Sequence, residues 1–137
     1  MKKNFNICIQ ICIALPLLAF ISCTMATTGP QVGSGPIPLA FALYQNYPNP
    51  FADTTQIKYD VPFTGGSNSL VTIVVYDLFR NDIRILVNNS SNPPGAYTTK
   101  WDGLDYKGIA VPSGLYIIEM RGYTPQTTIL RITAIKE

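Results

Sequence analysis

Across residues 40–137 apolar side chains recur at every second position in short runs, and turn-forming residues close each run. A period of two puts alternate side chains on opposite faces of an extended strand, whereas a helix repeats every 3.6 residues. No segment of the chain sustains the helical period. Thr55–Val61 alternates so that Ile57, Tyr59 and Val61 share one face. Residues 70–78 are nearly all β-branched or apolar and read as a central strand covered on both sides. Residues 83–87 follow a polar turn at Arg80-Asn81-Asp82, and 88–95, rich in Asn, Ser and Pro, reads as a loop. Residues 96–102 form the next strand and close on Trp101, 103–108 turn, and 109–111 make a short edge piece stopped by Pro112. In residues 115–121, Tyr116, Ile118 and Met120 point inward with Glu119 and Arg121 outward. In 127–135, Leu130, Ile132 and Ala134 point inward against Arg131 and Thr133. About seven strands in about 98 residues predict an all-β protein, an antiparallel β-sandwich of immunoglobulin-like size.

Composition then removes most chemistry. The 137 residues include no histidine, and the three cysteines (Cys8, Cys12, Cys23) all lie in the first 23 residues. Ser-His-Asp and Cys-His catalysis are excluded, and so are zinc sites built on imidazole or clustered thiolates. From Cys23 onward 8 basic side chains balance 8 acidic ones, which is not the basic bias of a nucleic-acid binder. No enzyme activity, cofactor or nucleic-acid partner is expected.

The first 22 residues read as an export signal: Lys2 and Lys3, then an apolar stretch whose unbroken part, residues 11–21, is too short to span a bilayer. The ending Phe20-Ile21-Ser22-Cys23 resembles the lipobox of bacterial lipoproteins, with Phe20 where Leu is usual. The resemblance implies a lipid anchor on Cys23 as the first mature residue. Thr24 after it is not the Asp that holds many lipoproteins in the inner membrane, so the outer membrane or cell surface is implied. General signal cleavage, for example after Ala26, is the other reading. Residues 23–39, rich in Gly, Pro and Thr, read as a flexible tether ahead of a domain at 40–137.

The most specific string is Leu43-Tyr44-Gln45-Asn46-Tyr47-Pro48-Asn49-Pro50-Phe51. Thr55-x-Ile57-x-Tyr59, Val75-Tyr76-Asp77-Leu78-Phe79, Trp101-Asp102-Gly103 and Pro112-Ser113-Gly114-Leu115-Tyr116 follow it. In this order and spacing the chain resembles the C-terminal sorting domains of type IX secretion cargo, and is similar to the immunoglobulin-like domain of flagellar hook-capping proteins. Ala52-Asp53 stands where that family often has Asn-Pro, and the chain ends in Glu137 instead of Lys. The resemblance implies a sorting and surface-attachment role with the secretion machinery or other envelope proteins as partners. The residues it implicates are Tyr47, Pro48, Asn49, Pro50, Phe51, Pro112, Gly114, Tyr116 and the basic Arg131 and Lys136 of the last strand. Read physically, the two prolines hold the string extended so that Tyr44, Tyr47 and Phe51 pack across the sandwich end. Gly114 allows close backbone passage, and Arg131 and Lys136 form an exposed basic pair.

Three smaller patterns carry two readings each. The loop 102–108 holds Asp102 and Asp105 between glycines, yet lacks the alternating acids and terminal Glu of a calcium loop, which favours turn chemistry. Asp53-Thr54-Thr55 resembles an O-glycosylation acceptor and equally an ordinary turn. Gly33-Ser34-Gly35 follows no strand and is not a nucleotide loop.

Overall fold

A computed structural model describes residues 35–137. The export signal, Cys23 and most of the tether lie outside the described residues. Seven strands form two antiparallel sheets: β1 (Ala42–Leu43), β2 (Thr55–Val61) and β5 (Gly95–Trp101) in the order β1-β2-β5, and β3 (Ser69–Tyr76), β4 (Asp82–Asn92), β6 (Gly114–Tyr123) and β7 (Thr127–Lys136) in the order β4-β3-β6-β7. The all-β sandwich expected from the alternation is the fold.

The apolar faces meet between the sheets. Ile57, Tyr59 and Val61 from β2 pack with Val71, Ile73 and Val75 from β3 and with Tyr116, Ile118 and Met120 from β6. β3 lies inside its sheet, and its outward Val74 and Tyr76 are only 5% exposed, so the near-continuous apolar run reflects cover on both faces. Ala134 is fully buried, while Leu130 and Ile132 pack against the core partly covered, as befits an edge strand.

Two expectations are corrected. The loop assigned to 88–95 is mostly strand, because β4 runs on to Asn92 opposite Ser69. Register shifts let this polar stretch stay paired: Asn89 takes a left-handed φ of 44° and donates its N–H to Thr72 Oγ1 at 3.1 Å. Asn tolerates that conformation better than most residues, and an edge strand accommodates the bulge. Residues 109–111 are not a strand; they fold back on their own loop through a Leu104–Ala110 bridge. The seventh strand is instead the two-residue β1, paired as Ala42 with Asp60 and Leu43 with Tyr59. Glu119 points to the outer face as expected, and there it is 1% exposed, roofed by arginines from three segments.

Candidate functional site

Phe51, Trp101, Tyr116 and Lys136, scattered through the sequence, come together where the segment leading into β2 crosses the end of β7. Phe51 is 1% exposed and its ring centroid lies 5.2 Å from that of Trp101, which in turn meets Tyr116 edge-on at 5.2 Å. Trp101 is fully buried, and its indole N–H donates to the Leu104 carbonyl at 3.1 Å. Tilted and edge-on contacts of this kind add to the area buried.

The backbone of the leading segment closes the edge of β7. Phe51 N–H donates to the Ile135 carbonyl at 2.9 Å, and Glu137 N–H donates to the Phe51 carbonyl at 2.9 Å. Asn49 extends the pairing with its side chain: its amide donates to the Thr133 carbonyl at 3.0 Å, and its oxygen accepts from Ile135 N–H at 2.8 Å. Gln45 adds a second donor to Thr133 at 2.7 Å. Behind them Asn46, 2% exposed, donates to Thr55 Oγ1 at 2.9 Å, and Thr55 donates to the Pro48 carbonyl at 2.7 Å. Pro48 and Pro50, which have no N–H to satisfy, both follow cis peptide bonds.

Lys136 completes the clasp. Its ammonium donates to the Ala52 and Glu137 carbonyls and lies 5.7 Å from the centre of the Phe51 ring. Its stem crosses Gly103, where an added Cβ would come within 2.9 Å of the lysine chain, and Gly103 itself has a φ of 68°. Glycine meets both the left-handed backbone and the crossing lysine stem without a side chain of its own to accommodate.

Pro112, Gly114 and Tyr116 form a corner. Tyr116 OH donates to the Pro112 carbonyl at 2.7 Å, the tyrosine corner of immunoglobulin-like sandwiches, and burial pushes the phenol pKa up. The same Pro-x-Gly-x-Tyr device occurs at the start of β5, where Tyr97 OH donates to the Pro93 carbonyl at 2.7 Å. The same five-residue spacing therefore builds the same corner twice.

Three expected roles are corrected, and the turn reading of the 102–108 loop holds. Tyr47 is 81% exposed and Tyr44 49% exposed, the latter donating to Asp60 at 2.6 Å, so Phe51 alone of the three packs across the end. Gly114 has open space around the position of a Cβ, and the close passage falls instead at Gly103 and Gly122. Arg131 and Lys136 are not a basic pair: five residues apart on a strand, they face opposite sides. Arg131 Nε holds Glu119 at 2.6 Å on the outer face, whereas Lys136 closes the clasp. The loop carboxylates serve turns. Asp102 accepts from Leu104 N–H at 3.2 Å, and Asp105 from Lys107 and Ile109 N–H at 2.8 and 2.9 Å. The Ile109 bond leads the effects that hold the Asp105 pKa below the usual carboxylate range.

Gln45 and Asn46 belong to the motif string without an expected contact of their own, because polar residues in a Pro-rich string look like exposed loop, and the inward hydrogen bonds of Thr55 are not signalled by its place at the start of a strand. The clasp contains no nucleophile–base pair; it holds a strand in place. No protein-family model matches the chain, and no curated protein matches its sequence.

Proposed function

We propose that this chain is an exported, non-enzymatic β-sandwich acting as a sorting and surface-attachment domain of the type IX kind, recognised by secretion machinery of the cell envelope. The observation that supports this reading most is the clasp: the long motif string and the final strand, which the resemblance ties to sorting, are hydrogen-bonded to each other through Asn49 and Phe51. A signal carried by the last strand is then displayed only after the whole domain has folded. The test is a reporter fused ahead of residue 40. It should reach the cell surface in a host with type IX secretion and stay in the periplasm of the same host without that system. Periplasmic retention in both hosts would make the reading wrong.

A second reading follows from Ser22-Cys23, a lipid-anchored interaction module of the envelope with no sorting role. The intact mass of the mature protein separates the anchors: acyl mass on Cys23 supports it, and an unmodified terminus beyond Cys23 removes it.

A further inference from the structure

The outer face of the β4-β3-β6-β7 sheet carries an arrangement that the clasp does not use. At its centre Glu119 is 1% exposed and holds three guanidiniums: Arg121 Nε at 2.7 Å on one oxygen, Arg131 Nε at 2.6 Å and an Arg80 terminal nitrogen at 3.4 Å on the other. Arg121 also donates to Tyr76 OH at 3.0 Å, and Arg80 lies over the Tyr76 ring at 5.2 Å. Three guanidiniums against Glu119 leave two positive charges at the cluster, and Asp82 at its margin leaves the whole patch with one. Each arginine side chain is about half exposed. Each carries five N–H donors, of which these bonds occupy one or two. The buried carboxylate backs the cations and fixes them, so little side-chain freedom remains to be lost on binding an anion.

The surroundings are apolar where an open sheet face is ordinarily polar. The cross-strand pair Leu115 and Ile135 is 42% and 40% exposed, Ile129 opposite Arg121 is 47% exposed, and Tyr123 is 54% exposed. Asp82, across from Tyr76, is the acid at the β4 margin.

We propose that this face docks on an anionic lipid surface, with lipid phosphates on the Arg80–Arg121–Arg131 cluster and the apolar rim in the interfacial layer. Guanidinium forks match phosphate oxygens, and amphipathic surfaces bind bilayers by apolar burial added to attraction for anionic lipid. A soluble phosphate would engage the cations and leave Ile129 and Ile135 in water; a lipid interface engages both. The inference does not depend on the sorting reading.

The full chain and variants altered only on this face are mixed with phosphatidylcholine vesicles, with and without phosphatidic acid. The chain should partition to the anionic vesicles, and less so as salt rises. Arg80→Gln, the most loosely held member, should weaken partitioning about fivefold, the usual contribution of one basic side chain at an anionic surface. Ile129→Ser alters the apolar rim without removing a guanidinium and should weaken it as well, so the outcome does not hang on one variant's folding. Lys58→Gln, on the other sheet, should leave it unchanged. Equal binding to uncharged vesicles, loss with Lys58→Gln as large as with Arg80→Gln, or full binding by both face variants overturns the proposal. Binding of inorganic phosphate without vesicle binding overturns it in favour of a soluble phosphorylated ligand.

Discussion

Asn49 replaces a missing strand. Among the described residues edge strand β7 has no partner strand beyond it, and the carboxamide of Asn49 presents one donor and one acceptor with the spacing of a peptide group, bracketing Thr133 and Ile135. Proline on either side could not have supplied those N–H groups, so a side chain does it. Asn49→Ala should therefore leave the Ile135 amide without its partner and lower stability by about 1–2 kcal/mol, two ordinary hydrogen bonds' worth. Urea unfolding measures the loss, and hydrogen exchange should show the Ile135 amide opening faster while the Ile118 amide is unaffected. Unchanged exchange at Ile135 would mean the carboxamide is not the partner that protects it. Asparagine between prolines looks like turn chemistry in one dimension; that it faces a strand 84 residues on is not written locally.

At the level of elements, Phe41, the residue leading into β1, and the inner face of β6 are fitted to one another. Gly122 has no side chain because the Phe41 ring occupies its place: a Cβ there would fall 2.6 Å from two ring carbons. The ring is partly buried and packs against the core from outside the strand itself. Gly122→Ala should cost about 1–3 kcal/mol by overpacking. Phe41→Leu in the same chain should recover part of that, a coupling expected of residues in contact. Additive losses in the two single variants and the double variant would show that the ring moves aside freely. A glycine in an otherwise apolar strand signals a close approach, but the residue approaching it was beyond inference, since β1 is only two residues long and shows no alternation.

Over the whole molecule, charge is tied to the folded state through a few carboxylates. Burial raises the Glu119 pKa, but hydrogen bonds from Arg131 and Arg121 outweigh it, and the net value is below the ordinary one. Asp77, accepting from Asn81, and Asp105 are lowered too. A lowered folded pKa contributes stability that is fully present above the unfolded value of about 4 and is lost as pH falls through the folded one. Denaturation midpoints should thus hold from neutral pH to about pH 5 and then drop toward about pH 3. Glu119→Gln should cost about 1–3 kcal/mol at neutral pH, limited by the arginines' access to water, and should flatten the acid limb. An acid limb of the same depth in that variant would remove Glu119 from this role. The pattern along the chain by itself determined the class of fold, the positions of six strands and the inward residues of β2, β6 and β7, because burial of one face is a local pattern repeated along each strand. It also held the opposite facing of Arg131 and Lys136 and the Pro-x-Gly-x-Tyr pair. The partners were decided in three dimensions: Asn49 with Ile135, Lys136 over Gly103, Phe41 against Gly122, three arginines on Glu119. Each joins residues distant in the chain, and their contact depends on which strands lie adjacent, which a period along one strand does not encode.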